Sequence, residues 1–113
     1  MQEIHLVGIN HKTSKVSDRE RFIVDDSNII YLNDYLLSKL GSKISGFFGL
    51  STCNRTEIYY YGDKGIDLDV LKLTKEALNI SDIPDKNFYI YNDKDAFEHM
   101  CRVCCGIDSQ VVG

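Results

Sequence analysis

The order in which strand-like and helix-like segments alternate is the feature that most limits how this chain can fold. Apolar residues in alternation predict strands over residues 3–9, 44–52, 56–62 and 87–92. Helical periodicity predicts helices over residues 17–22, 25–41, 67–79 and 93–106. The resulting order, β-α-β-β-α-β with one more helix, predicts an α+β fold: a ferredoxin-like sheet, helices on one face and an additional C-terminal helix.

Capping and apolar residues predict where these helices end and which faces they bury. Ser17 and Asp93 are candidate N-caps, and Gly41 and Gly106 are candidate stops. In the helix over residues 67–79, the expected apolar face is Leu68, Val70, Leu71 and Leu78. In the last helix, the residues expected on the buried side are Ala96, Phe97, Met100, Val103 and Cys104.

Length and charge exclude several classes of protein. The 113 residues suffice for one compact domain, and 43% hydrophobic with 27% charged residues is an ordinary globular composition. The net charge of −4 argues against a large phosphate-binding surface, though not against gripping the end of a nucleic acid. No apolar run is long enough to cross a membrane, and the N-terminus lacks the pattern of a signal peptide. We therefore expect a cytoplasmic protein without membrane contact.

Three of the four cysteines lie within five residues, at Cys101, Cys104 and Cys105. This crowding is a poor layout for a disulfide framework, so reduced thiols are expected. His99 adds a fourth soft ligand nearby, but helical geometry points these side chains in different directions. We expect no metal site, and interpret the cysteines as small packing residues.

The stretch LSTCNRTEIYYYG, residues 50–62, places Cys53 at the junction of two predicted strands. A thiol attacks a carbonyl as the thiolate, and the nearby Arg55 guanidinium would favour that form. Arg55 could equally bind a carboxylate through two hydrogen bonds. The hydroxyls of Ser51 and Thr52, with the N–H groups of a tight turn, could hold an oxyanion. The alternative is that Cys53 is a small buried apolar residue.

The three histidines differ in their predicted surroundings. His5 lies within a strand, where a structural role is expected. His11 follows a strand end in the loop GINHKT, and loops often carry functional residues. His99 lies at the margin of the apolar face of the last helix, where an imidazole could face a cleft. The residues alone leave open whether His11 or His99 handles protons.

Three motifs together resemble a known family. They are GINHKT at residues 8–13, LSTCNRTE at 50–57, and H-x-x-R-V-x-x-G-I-D-S-x-V-x-G at 99–113. In order and spacing they resemble the N-terminal catalytic domain of glutamyl-tRNA reductase along essentially the whole chain. This chain departs from the family pattern at Cys104 and Cys105, where the family is expected to have small residues such as Ala or Ser.

The resemblance implies a reaction and a set of site residues. The family converts glutamyl-tRNA(Glu) to glutamate-1-semialdehyde with NADPH, the first step of the five-carbon route to tetrapyrroles such as haem. The implied nucleophile is Cys53, and the implied activity-dependent histidine is His99. The implied substrate-binding residues are Thr52, Asn54, Arg55 and Ser109.

The resemblance also implies that residues 1–113 are a truncated catalytic domain, and the abrupt apolar end GIDSQVVG fits an excised domain. The nucleotide-binding and dimerisation domains of the family are absent from this chain, and no G-x-G-x-x-G loop exists in it for NADPH. The full-length enzyme is expected to be a homodimer, and this chain a monomer. Handing the aldehyde to the next pathway enzyme is a further expectation.

The resemblance suggests a catalytic mechanism, and two alternative functions stay open beside it. Cys53 would attack the glutamyl ester and hold the acyl group as a thioester, which accepts hydride more readily than an oxygen ester. Arg55 is the candidate for the glutamate side-chain carboxylate, and His99 for the proton donor. The rivals are a stand-alone thiol esterase and a non-catalytic binding module in which STCNRTE only forms a turn.

Overall fold

The computed structural model describes residues 2–52 and 54–104. Within these ranges, four strands form one antiparallel sheet in the spatial order β2-β3-β1-β4. The strands are β1 (Gln2–Asn10), β2 (Ile44–Ser51), β3 (Arg55–Asp63) and β4 (Tyr89–Asn92). This is the strand order of a ferredoxin-like sheet, so the predicted fold class is confirmed.

Among the described residues, four α-helices connect or follow the strands. They are α1 (Val16–Arg21), α2 (Ile29–Leu40), α3 (Asp67–Ala77) and α4 (Asp93–Cys104). Single 3₁₀ turns, Gly41–Lys43 and Asp85–Asn87, precede β2 and β4. Gly41 ends α2 with φ of 57°, a backbone conformation that a glycine adopts without strain, as the sequence predicted. In the part of the chain that the structure describes, no helix is long and apolar enough to cross a bilayer.

Alternate residues of each strand point to opposite faces of the sheet, and each face carries an apolar cluster that helices cover. On one face, α2 and α3 cover the larger core, to which the sheet contributes Val7, Ile9, Ile58 and Tyr60. On the other face, α4 covers a smaller cluster of Leu6, Tyr59 and Ala96. The additional C-terminal helix therefore covers part of the face opposite the two crossover helices, where Phe48 and Tyr61 remain exposed.

The β2–β3 hairpin expected around residue 53 is confirmed. Its strands pair antiparallel from Ile44↔Gly62 to Ser51↔Thr56, with an irregularity between Ile44 and Gly46. The end of β1 joins the same region, since Asn10 pairs with Arg55 across the sheet. The β2–β3 hairpin end and the distant end of β1 therefore meet at one end of the sheet.

Two expectations about helix ends and faces were wrong. Ser17 is not the cap of α1, because the Lys15 carbonyl already accepts the first helical hydrogen bond, from Asp18. Leu68 is 68% exposed, since α3 turns the side that carries Val70 and Leu71 to the core. Helical periodicity predicted α3 correctly. It did not predict which side of the helix packs against the sheet, and that side decides which residues are buried.

The buried face of α4 was also assigned too widely. Phe97 is 54% exposed, and Cys104 is exposed. Helical spacing explains this, because Ala96 and Met100 lie on the sheet side, one turn apart, whereas Phe97 and Cys104 share the neighbouring stripe. The expected stop at Gly106 lies outside the described residues.

Candidate active site at the end of strand β3

Alternation along β3 aligns three polar side chains on the face covered by α4. Arg55, Glu57 and Tyr59 are spaced two residues apart, so they point to the same side of the sheet, and all three are buried. Helix α4 lies over this side and contributes His99 from above. A charged cluster thus sits between strand and helix, at the sheet end where the β2–β3 loop begins.

Glu57 and His99 are in direct side-chain contact within the cluster. The His99 Nε2 atom lies 2.5 Å from Oε2 of Glu57, whose side chain is completely buried, whereas that of His99 is 11% exposed. The predicted position of His99, at the edge of the α4 apolar face, is therefore confirmed by its burial. Its ring also contacts the rings of Tyr89 and Tyr91, with centroids 5.7 and 5.1 Å away.

Two tyrosines complete the surroundings of the Glu57 carboxylate. The Tyr59 hydroxyl donates to Oε1 at 2.7 Å, and the Tyr89 hydroxyl donates to Oε2. Space for this arrangement comes from Gly8, which pairs with both Glu57 and Tyr89 across the sheet. A Cβ at Gly8 would lie 2.8 Å from Cγ of Glu57 and 2.9 Å from the Tyr89 ring.

These contacts shift the pKa values of the groups involved. Burial raises the pKa of the Glu57 carboxyl, but hydrogen bonds from His99, Tyr89 and Tyr59 outweigh it, and the net pKa lies below the ordinary value. Burial and the nearby Glu57 carboxylate raise the pKa of both the Tyr59 and Tyr89 hydroxyls. Glu57 is therefore an ionised carboxylate that accepts hydrogen bonds from the hydroxyls of two neutral tyrosines.

Arg55 contributes a cation to the same cluster. Its Nη1 atom lies 3.6 Å from Oε2 of Glu57 and 3.4 Å from Nε2 of His99, and its side chain is 4% exposed. The Arg55 guanidinium and the His99 imidazole both approach Oε2 of Glu57. Glu57 therefore connects Arg55 to His99. The sequence predicted a role for Arg55 and His99 separately, and the structure brings them into contact.

The loop that joins β2 to β3 presents the remaining predicted residues. The Thr52 N–H donates to the Arg55 carbonyl at 2.7 Å, and the Asn54 N–H lies 3.3 Å from the Thr52 hydroxyl oxygen. Thr52 is exposed and Asn54 half-buried, so both are accessible to a bound molecule. Cys53 and Ser109, the predicted nucleophile and a predicted substrate-binding residue, lie outside the described residues.

His11 also reaches this loop, though in a different way. Its backbone N–H donates to the Asn54 carbonyl at 3.0 Å, which ties the GINHKT segment to the hairpin end. Within residues 2–52 and 54–104, its Nδ1 atom is buried and has no hydrogen-bond partner. His99 contacts Arg55 and Glu57 through its side chain, whereas the hydrogen bond that connects His11 to the site comes from its backbone.

A cleft of about 550 Å³ opens beside the hairpin end, between it and α1. Its lining combines apolar, charged and hydroxyl side chains: Val16, Arg19, Glu20, Ile23, Ser51, Thr52 and Thr56. Thr52 borders both the cleft and the loop. The cleft is large enough to admit a small organic group next to the β2–β3 loop.

Among the described residues, no group of three or more His, Cys, Asp or Glu side chains is arranged to hold a metal ion. Cys101 and Cys104 are free thiols on the exposed side of α4. The remaining member of the predicted cysteine group, Cys105, lies outside the described residues.

Sequence reasoning missed Glu57, Tyr59 and Tyr89 as members of the site. A signal for Glu57 was present, since a carboxylate two positions after Arg55 in an otherwise apolar strand must share its face. Buried charges in proteins are paired, so a partner was to be expected. No local signal pointed to Tyr89, which is 32 residues away and joins the site only through the pairing of β4 with β1.

Fold and site together define a ferredoxin-like α+β domain with a buried Glu–His–Arg cluster beside a loop that carries a cysteine. A family model described as "Glutamyl-tRNAGlu reductase, N-terminal domain" matches residues 7–113. The chain therefore belongs to the glutamyl-tRNA reductase family, and the resemblance drawn from its motifs is confirmed.

Individual relatives agree with this assignment. Glutamyl-tRNA reductase of Wigglesworthia glossinidia brevipalpis is 42% identical over 111 residues, covering 94% of this chain and 26% of that protein. The protein of the same name from Caldicellulosiruptor saccharolyticus is 36% identical over 110 residues, covering 96% and 25%. The solved structure of glutamyl-tRNA reductase from Methanopyrus kandleri superimposes with a TM-score of 0.70 at 25% identity, covering 97% of this chain and 24% of that one. The chain thus spans about a quarter of the length of these relatives.

Proposed function

We propose that this chain accepts the glutamyl group of glutamyl-tRNA(Glu) as a thioester on Cys53, within an NADPH-dependent reductase that makes glutamate-1-semialdehyde for tetrapyrrole synthesis. The observation that carries the proposal is the contact of His99 with Arg55 and Glu57 at the start of β3. Arg55 follows Cys53 by two residues in the sequence. The Arg55 guanidinium is thereby close in the chain to a candidate nucleophile, and the imidazole that Arg55 contacts is a candidate acid–base group.

The proposed first step is an acyl transfer. The Cys53 thiolate attacks the ester carbonyl carbon, an S–C bond forms, and the C–O bond to the tRNA ribose breaks. The ribose oxygen leaves with the electron pair and must gain a proton to become a hydroxyl. His99 is proposed to relay that proton, taking it from the Cys53 thiol as the thiolate forms and passing it to the ribose oxygen, because it is a titratable group of the cluster with part of its surface open to solvent.

Four residues are proposed to hold the substrate: Thr52, Asn54, Arg55 and Ser109. Arg55 is the candidate for the glutamate side-chain carboxylate, which would share the guanidinium with Glu57. A guanidinium has five N–H donors, so it can serve two carboxylates. This role predicts that Arg55→Lys reduces the preference for glutamyl over aspartyl esters, since the bidentate fit would be lost.

The reduction that follows requires hydride, which the family takes from NADPH. The 113 residues contain no G-x-G-x-x-G loop, so no step is assigned to a dinucleotide on this chain. The last step proposed for these 113 residues is formation of the thioester. NADPH binding, a homodimer, transfer of the aldehyde to the next pathway enzyme and a cytoplasmic location remain predictions for the full-length protein.

The test is whether the chain forms a covalent glutamyl adduct. The chain is incubated with glutamyl-tRNA, and the peptide containing Cys53 is examined by mass spectrometry before and after hydroxylamine treatment. We expect a hydroxylamine-labile glutamyl adduct that disappears in Cys53→Ser and persists in the control variants Cys101→Ser and Cys104→Ser.

Two results would oppose the proposal. The first is no adduct in the unmodified chain, and the second is an adduct that remains in Cys53→Ser. Rapid repeated turnover of a simple activated ester, with no accumulation of adduct, would instead favour the stand-alone thiol esterase.

A further inference from the structure

We propose that Glu57 is a positioning residue that keeps the ring proton of His99 on Nε2, so that Nδ1 is the nitrogen that exchanges a proton with the substrate. The inference rests on the proposed function for the reaction, but its geometric part stands on Glu57 and its neighbours alone.

A separation of 2.5 Å between His99 Nε2 and Glu57 Oε2 requires a proton between them. Without it, the lone pairs of a ring nitrogen and a carboxylate oxygen would face each other. Glu57 is the ionised partner, since the three hydrogen bonds it accepts lower its pKa despite its burial. The proton is therefore carried by Nε2 of His99.

The contact between His99 and Arg55 fits the same assignment. Arg55 Nη1 lies 3.4 Å from Nε2, but a guanidinium only donates hydrogen bonds. One ring nitrogen carries either a proton or a lone pair, so Nε2 cannot both donate to Glu57 and accept from Arg55. The shorter of the two contacts decides in favour of Glu57, which also accepts the approach of Arg55 at 3.6 Å.

Glu57 is itself held in place, as a positioning residue must be. Tyr59 donates to one carboxylate oxygen at 2.7 Å and Tyr89 donates to the other, so the carboxylate cannot rotate without breaking a buried hydrogen bond. Gly8 leaves the gap through which Glu57 and Tyr89 meet. Strands β1, β3 and β4 thus all contribute to the orientation of one imidazole.

The consequence for chemistry is a choice of ring nitrogen. With Nε2 committed to Glu57, Nδ1 is the only nitrogen of His99 left to accept or release a proton. Loss of the carboxylate would let the ring populate both tautomers and rotate. A fraction of the molecules would then present the wrong nitrogen to the leaving ribose oxygen.

The experiment reads the tautomer directly. Long-range ¹H–¹⁵N NMR of the imidazoles is recorded on the chain near neutral pH, for the unmodified protein and for Glu57→Gln. We expect a pure Nε2–H tautomer for His99 in the unmodified chain and a mixture in Glu57→Gln, because an amide can offer its oxygen or its NH₂ group to Nε2. Glu3→Gln is the matched control, since Glu3 lies 3.9 Å from Nε2 of His5 and belongs to another cluster.

The rate of glutamyl transfer to Cys53 supplies the second readout. We expect Glu57→Gln to lower the maximal rate at least about tenfold with little change in KM, within the roughly 10²–10⁴-fold that general acid–base catalysis contributes. Tyr89→Phe, which removes one hydroxyl and keeps the ring, is expected to act in the same direction and more weakly. Far-ultraviolet circular dichroism confirms that each variant is folded, and Tyr89→Phe replaces Glu57→Gln if that variant unfolds.

The outcomes separate this inference from the proposed function. An unchanged His99 tautomer in the folded variants overturns the inference whether or not the chain forms a thioester. A changed tautomer with an unchanged rate of acyl transfer also overturns it. No adduct in the unmodified chain contradicts the proposed function, and the tautomer measurement then still decides whether Glu57 fixes the ring.

Discussion

Gly8 and Glu57 face each other across β1 and β3, and the missing side chain of Gly8 makes room for the Glu57 carboxylate to reach Tyr89. The GINHKT motif therefore contributes to the site through its glycine as well as through its loop. Gly8 has no functional side chain, but its small size allows the side chains of Glu57 and Tyr89 to come into contact.

Gly8→Ala tests this close approach. The added methyl would lie under 3 Å from both Glu57 and Tyr89, so we expect the free energy of unfolding to fall by about 1–3 kcal/mol. Urea denaturation measures it. Gly46→Ala is the control, since a Cβ at Gly46 in β2 meets nothing within 4 Å, and its effect should stay below about 1 kcal/mol. Equal losses in the two variants would show that the gap at Gly8 is not required.

The lowered pKa of Glu57 predicts how stability depends on pH. Ionised Glu57 stabilises the fold above the carboxyl pKa of the unfolded chain, and this stabilisation is lost as pH falls through the lower pKa of the folded state. We therefore expect Glu57→Gln to destabilise the chain more at about pH 7 than at about pH 3.5. Denaturant titrations at the two pH values measure the difference.

A control is needed because other carboxyl groups titrate in the same range. Glu20→Gln, at an exposed position of α1, should change stability equally little at both pH values. A constant effect of Glu57→Gln across the range would contradict a lowered pKa for Glu57 in the folded chain.

The orientation of α3 can be tested with two leucines of the same helix. Leu71 is buried and Leu68 is exposed, although both fit the helical period. We expect Leu71→Ala to lower the free energy of unfolding by about 2–5 kcal/mol, because it leaves a cavity in the core. Leu68→Ala should change it by less than about 0.5 kcal/mol. Thermal or urea unfolding compares them, and a larger loss from Leu68→Ala would reverse the assigned face.

The exposure of Cys101 and Cys104 predicts their reactivity. Both thiols lie on the open side of α4, so a water-soluble thiol reagent should modify them in the folded chain without denaturant. Replacing both with serine should reduce the number of rapidly reacting thiols by two. If the double replacement lowers the number of reactive thiols only in the unfolded chain, Cys101 and Cys104 are buried in the folded chain, and their interpretation as packing residues is correct.

The sequence predicted the sheet and its hairpin because their signals are local. Alternation in ISGFFGLS and in RTEIYYYGD sets two strands, and the polar residues between them favour a turn. The same signals gave the four-strand order, since few topologies suit β-α-β-β-α-β. Burial of helix faces was less predictable, as Phe97 and Leu68 show, because helical periodicity does not say which neighbour a face meets.

By itself, the sequence determined the fold class, the family and the candidate residues Cys53, Arg55 and His99, because periodicity, turn residues and motifs are written along the chain. Only the tertiary structure decided that Glu57 joins His99 to Arg55. Glu57 and His99 are 42 residues apart, on β3 and α4, and Tyr89 arrives from β4. Their meeting depends on strand register and on which face α4 covers, and these are set by packing between segments rather than within any one of them.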